Sequence, residues 1–244
     1  TPTLSSAASD VYKRQQETLQ QASDLAQRRN GRLHIHVSET RKEVADCKDA
    51  NGLYPVEYLD SIDFIQPGTI FAHASWVKKN EIRIMAENNI TAVHCPSSNM
   101  KLACGGTLSF PPYRDAGVDV RIGTDGAASS GNGLNLLHEA RLASLVQRHD
   151  HWDSTLLPAQ GIFKIATKGS QDWVAWNLDD IRMRPLGRSN NRHLANLIYN
   201  GGDCLDVWVN GQALRKNGET LTLDESKIIN ELDEAVYSYY EDVE

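Results

Sequence analysis

Four residues carry most of the chemistry this sequence can offer: His36, Glu39, His73 and Asp125. His34 and His36 sit two apart in an apolar run, so on a strand they face the same way. Glu39 follows just past that run, close enough to share a site with His36. A lone strand histidine is usually a packing residue. A His-x-x-Glu at a strand end reads differently once His73 and Asp125 recur at two further strand ends. Neutral imidazole and carboxylate are the ligands zinc takes where cysteine is absent. A catalytic zinc keeps one position for water and lowers that water's pKa to about 7. Asp125, in the run GTDGAAS at 123–129, also admits a plain Asp-Gly turn. Its place directly after an apolar strand favours a carboxylate at the strand's end. His94 reads as structural or supporting rather than ligating. The loop at 96–102 reads equally as a substrate contact or as part of the rim. His138, His149, His151 and His193 receive no role. Cys47, Cys95, Cys104 and Cys204 match no paired zinc or redox spacing and read as buried thiols.

Something must hold these residues together, and the order of elements says what. Residues 32–38, 69–75, 90–95 and 119–124 read as strands. Helical stretches are expected at 39–50, 77–88 and 134–148, with an irregular or shorter helical piece after the 96–102 loop. Strands alternating with helices imply parallel βαβ units. Polar residues at the C-terminal ends of parallel strands are where such folds keep their sites, and a (β/α)8 barrel does so on every strand. A full barrel takes roughly 250 residues. Four units fit between 32 and 150, so the expected fold is α/β: the C-terminal half of a metal-dependent (β/α)8 TIM-type barrel. Residues 156–176 are expected to be one or two helices finishing the barrel wall. Residues 177–193 are polar without a clear period. Then 204–214 alternates around Asn210-Gly211, a hairpin signal. Thr222 and Glu225 form a capping box before a last helix whose apolar face is Ile228, Ile229, Leu232, Val236 and Tyr239. The expected division is a leader at 1–30, non-native or helical, a barrel half at 31–176 and a tail at 177–244 that contributes a hairpin and helix to a small β-domain.

The strings HIHVSET (34–40), AHASWV (72–77), VHCPSSNMKLACGG (93–106) and GTDGAASSGNGLNLLHEARLASLVQ (123–147) resemble the amidohydrolase superfamily. Within it they resemble the group that holds the 5′-methylthioadenosine/S-adenosylhomocysteine deaminases and the triazine hydrolases. The runs DVWVNGQAL and LTLDE resemble the strand pair and tail that return to the small β-domain of such enzymes. The resemblance implies one zinc per subunit, or another divalent metal, held by His36 from the fifth barrel strand and Asp125 from the eighth. It implies that Glu39 shuttles protons and hydrogen-bonds the substrate ring. His73 would orient the metal water, and Asp125 would accept that water's proton and contact the substrate. The implied reaction is hydrolytic deamination of a purine nucleoside such as 5′-methylthioadenosine, S-adenosylhomocysteine or adenosine. The alternatives are a sister aminohydrolase or chlorohydrolase acting on triazines or oxidised guanine, and an inactive fragment. The last is raised because the family's first strand supplies a His-x-His pair, and no histidine precedes His34. The run at 10–15 matches nothing the resemblance expects ahead of a fifth strand, so an N-terminal truncation is expected, and 177–193 lacks the expected Gly-rich turn.

The net charge of −7 argues against a nucleic-acid surface and an anionic membrane, where a basic stripe is expected. No apolar run approaches the roughly 20 residues of a membrane span. The first 30 residues hold no apolar signal core, so a cytoplasmic protein is expected. The expected partner is a small-molecule substrate, with a homo-oligomer left open for the longer parent.

Overall fold

The computed structural model describes residues 16–130, 133–169, 171–187 and 190–241. The run at 10–15 lies outside them, as do parts of the 123–147 and 177–193 segments. The chain divides into two units, one through Lys168 and one from Gly169, eight residues before the expected boundary at 176.

In the first unit, α1 (Gln16–Arg28) precedes β1 (His34–Val37), α2 (Arg41–Asn51), α3 (Pro55–Ser61), β2 (Ile70–His73) and α4 (Lys79–Glu87). Then come β3 (Thr91–His94), α5 (Pro96–Lys101), α6 (Phe110–Ala116), β4 (Asp119–Ile122), α7 (Ala127–Ser130), α8 (Leu136–His151) and α9 (Ala159–Thr167). The four strands pair in parallel and in sequence order. All four lie inside the spans expected from the sequence. The 96–102 loop instead opens as α5, with Pro96 in the first helical position, where its missing N–H costs nothing.

The sheet has two unlike faces. Ile35, Phe71, Ala92 and Val120 are in register across the strands and buried. They join one core with Leu59 of α3, Met85 of α4 and Tyr113 of α6. On the other face, His36, Val93 and Arg121 are only half-buried. Parallel sheets are ordinarily covered on both faces.

Local signals fix the helix starts that carry this packing. Thr40 caps α2 by accepting the Glu43 amide, and Gly52 ends it in the left-handed region at φ 70°. Asn135 accepts the amides of Leu137 and His138 to open α8. Glu81 is fully buried and accepts the amides of Lys78 and Val56 at 2.7 and 2.8 Å, tying the starts of α3 and α4 together.

The second unit holds β5 (Trp173–Trp176), a 3-10 turn at Ile181–Met183, α10 (Asn190–Asn200), β6 (Cys204–Val209), β7 (Gln212–Lys216), β8 (Glu219–Thr220) and α11 (Glu225–Glu241). Its four strands form an antiparallel sheet in sequence order. Asn210 and Gly211, at φ 49° and 78°, turn β6 into β7 as the hairpin signal requires. Residues 173–176 are a strand rather than the end of a helical stretch: Trp173 stacks on Trp208 across the β5–β6 pair, ring centroids 5.2 Å apart. The cap of α11 is Asp224, which accepts the Lys227 amide at 3.0 Å, and not the expected Thr222. The Glu225 carboxylate accepts instead from the Thr220 hydroxyl. No helix among the described residues is long and apolar enough to cross a membrane.

Candidate metal and proton-transfer site

The C-terminal ends of β1, β2 and β4 bring His36, Glu39, His73 and Asp125 together. Ligand atoms of His36, His73 and Asp125 all lie within 4.8 Å of one another. His73 Nε2 is 3.9 Å from Glu39 Oε1 and 3.9 Å from Asp125 Oδ2. The His36 and His73 rings stack with centroids 5.2 Å apart, and His34 stands behind His36 at 6.4 Å. His34 is not part of the metal-capable group.

Regular strands alone could not make this cluster. Residues paired across a parallel sheet face the same side. His36 pairs with Ala72, so an unbroken pleat would send His73 to the opposite face. The chain escapes that rule at its strand ends. Ser38, His73, Ala74 and Asp125 adopt φ of 53°, 68°, 46° and 58°. A non-glycine residue in the left-handed region costs on the order of 1 kcal/mol and persists only where its surroundings hold it. Here they do. The Tyr113 hydroxyl, buried in the core, donates to the Ala74 carbonyl at 2.5 Å. The Ser38 and Glu39 amides both donate to the Glu43 carboxylate at 2.7 Å.

Several neighbouring polar groups engage the four residues. Ser98 donates to Asp125 Oδ2 at 2.6 Å, and the Gly126 amide donates to its Oδ1 at 2.7 Å. Asn99 Nδ2 lies 3.1 Å from His73 Nδ1. The Cys104 thiol donates to Glu39 Oε1 at 3.4 Å. Sequence reasoning missed Ser98, Asn99 and Cys104 as members of this site. The first two lie in the 96–102 run, whose sequence reads equally as a substrate contact or as part of the rim. Cys104 gave none beyond being a buried thiol. Gly123 leaves room for the β3–β4 approach: a Cβ there would stand 2.7 Å from Val93 Cγ1 and 3.2 Å from Cys95 Sγ.

Burial sets the protonation of the cluster. It raises the Glu39 carboxyl above the usual range; the Cys104 bond opposes this and the Asp125 charge adds to it. Burial lowers His36, with Asp125 opposing and His34 assisting. Burial and the neighbouring His36 push His73 down to about 4. Both rings are therefore neutral near pH 7. Burial pulls Asp125 upward, but the bonds from Ser98 and Gly126, helped by His73 and His36 in their protonated forms, outweigh it and hold the carboxyl low. His94 is buried at the end of β3 and pushed down to about 3 by burial and by His73. It is outside the metal-capable group, and neither ring nitrogen has a hydrogen-bond partner among the described residues. Two neutral imidazoles beside an ionised carboxylate are a donor set suited to zinc.

The amidohydrolase family profile matches residues 6–175. The chain belongs to the amidohydrolase family. It is 36% identical over 232 residues to a 5′-deoxyadenosine deaminase of Methanosphaera stadtmanae, covering 89% of this chain and 54% of that protein. It is 34% identical over 231 residues to a 5-methylthioadenosine/S-adenosylhomocysteine deaminase of Bacillus cytotoxicus, covering 88% and 53%. A crystal structure of an adenosine deaminase from Xanthomonas campestris with bound zinc superposes with a TM-score of 0.84 at 28% identity, covering 92% of this chain and 54% of that one. The chain thus spans about half the length of the curated relatives it matches.

Proposed function

We propose that these residues form the strand-five-to-eight half of a (β/α)8 barrel, and that the barrel is a hydrolytic deaminase of a purine nucleoside. The half-open sheet face is then the barrel interior, and the two outer strands β1 and β4 are where the remaining strands join. The observation that carries the reading is the convergence of His36, Glu39, His73 and Asp125 at one end of the sheet. Relatives named as deaminases of 5′-methylthioadenosine, S-adenosylhomocysteine and 5′-deoxyadenosine support the substrate class.

His36 and Asp125 would hold a zinc ion, with further ligands from the His-x-His pair that the resemblance expects. Bound there, zinc acts as a Lewis acid and lowers the pKa of water to about 7. The chain's own groups do the rest. Asp125 takes a proton from the attacking water. His73 stands between the two carboxylates and orients that water. Glu39 delivers a proton to the ring nitrogen beside the amine-bearing carbon, so the ring can accept the electron pair. A second proton converts the amine into a leaving group; water enters and ammonia departs.

The test supplies this chain with an N-terminal segment carrying a His-x-His strand and measures ammonia release. The panel is 5′-methylthioadenosine, S-adenosylhomocysteine, adenosine, guanine and an aminotriazine. Turnover of the nucleosides is expected, with Glu39→Gln lowering kcat by about 10²–10⁴-fold. Turnover of guanine or the triazine alone would move the protein to the sister hydrolases. No turnover from a folded, zinc-loaded protein would leave the inactive reading.

A further inference from the structure

We infer that Glu43 is a positioning residue for Glu39, holding its backbone within a closed ring of hydrogen bonds whose other arm, Trp76 and Cys104, holds its carboxylate. The inference deepens the deaminase reading above and rests on it. Glu43 stands where a capping box places its glutamate, in the first turn of α2, and its amide donates to the Thr40 hydroxyl at 3.1 Å. In such a box the glutamate carboxylate returns to the amide of the cap residue. Here its two oxygens reach on to the Ser38 and Glu39 amides, each at 2.7 Å. Neither amide belongs to the helix, so capping does not account for them. Bonds of this length to a charged carboxylate are among the strong ones.

The ring closes through three segments of the chain. The Ser38 carbonyl accepts the amides of Ser75 and Trp76 at 3.1 and 3.0 Å. The Trp76 indole N–H donates to the Cys104 carbonyl at 3.0 Å, and the Cys104 thiol donates to Glu39 Oε1 at 3.4 Å. The Glu39 amide then leads back to Glu43. Glu39 is thus gripped at both ends, amide and carboxylate. Ser38, Glu39, Glu43 and Cys104 are all buried, where a bond given up is costly. The indole is itself seated: the Arg41 guanidinium lies 4.2 Å over its ring, and a Cβ on Gly106 would stand 2.7 Å from it. Proton transfer is sensitive to such placement, since a shift of about 1 Å can cost on the order of 100-fold in rate.

The test has two arms. Burial lifts the Glu43 carboxyl to about 7 against its backbone bonds, so both arms are run at pH 8, where the carboxylate prevails. The first arm uses the protein joined to a His-x-His strand. Glu43→Gln keeps the shape but offers one acceptor and one NH2, so one of the two amides faces a donor. It is expected to lower kcat roughly 10- to 100-fold while KM stays within about twofold. In a Glu39→Gln background the same change should cost nothing further, because a residue that acts through Glu39 has nothing left to position. A loss that multiplies that of Glu39→Gln overturns the inference, as does native kcat in Glu43→Gln.

The second arm needs neither substrate nor a folded variant. In an amide proton–nitrogen spectrum of the chain itself, the Ser38 and Glu39 amide protons are expected far downfield, as short bonds to a carboxylate require. Ordinary shifts for both overturn the inference. A joined, zinc-loaded protein that shows the downfield pair but never deaminates would sink the functional reading and leave the Glu43 brace standing.

Discussion

The two units solve the problem of burial differently. In the first, every parallel strand sends alternate residues into one core, and the polar ends of the strands are braced by buried side chains such as Tyr113, Glu43 and Asn99. In the second, β6 is half-buried along its whole length, and α11 leaves Ile229 and Leu232 at 59% and 62% exposure. The apolar stripe on α11, Ile228, Ile229, Leu232, Val236 and Tyr239, recurs at helical spacing. A periodic stripe therefore reports that a helix can be covered, not that it is. Strand alternation in the first unit comes with a covering layer; the periodicity of α11 does not.

That contrast can be broken most readily in the core. Phe71 is fully buried at the centre of the first sheet, and Phe71→Ala should cost about 3–5 kcal/mol, read from the midpoint of urea unfolding. A loss below about 1 kcal/mol would mean the sheet face is not packed as described. A smaller effect concerns the buried Glu81. Burial outweighs its two backbone bonds and lifts it from 4.5 to about 6. The folded chain thus binds this proton more tightly than the unfolded chain. The resulting stability is present below about pH 4.5 and lost as pH rises through about 6, a change of about 2 kcal/mol. Subtracting the unfolding curve of Glu81→Gln from that of the native chain isolates this slope from other groups. A difference that is flat, or that grows with pH, would contradict the burial of the carboxylate. The smallest effect belongs to the second unit, where Leu232→Ala should change stability by no more than about 0.5 kcal/mol. A cost of 2 kcal/mol or more by the same unfolding assay would mean the α11 stripe is covered in solution.

Much of the first unit was legible in advance because its signals are local and repeated. Each strand is a short apolar run ending in a chemically capable residue, and the four residues that converge are those the strand ends suggested. What stayed hidden depends on contacts distant in sequence. The left-handed backbone at His73 is pinned by Tyr113, 40 residues on, and nothing in AHAS announces it. Asn99 and Cys104 enter the site only because α5 folds back over the strand ends. In the second unit, Asn210-Gly211 announced its turn because the turn's requirement for positive φ is local. Strand β5 did not, since its partner β6 lies some 30 residues downstream and its span sits beside a helix. The cap of α11 went to Asp224 rather than Thr222 because Thr222 stands two residues too early for the helix that forms.

The central claim is that His36 and Asp125 are half of a zinc site completed by a His-x-His strand. A catalytic zinc needs at least three protein ligands, and each lost ligand leaves the others less well held. Elemental analysis of the purified chain, alone and joined to a segment carrying that strand, tests this directly. The chain alone should hold well under one zinc, and the joined protein about one. Stoichiometric, chelator-resistant zinc in the chain alone would contradict the account and mean that His34, His73 or His94 ligates where the missing pair was invoked.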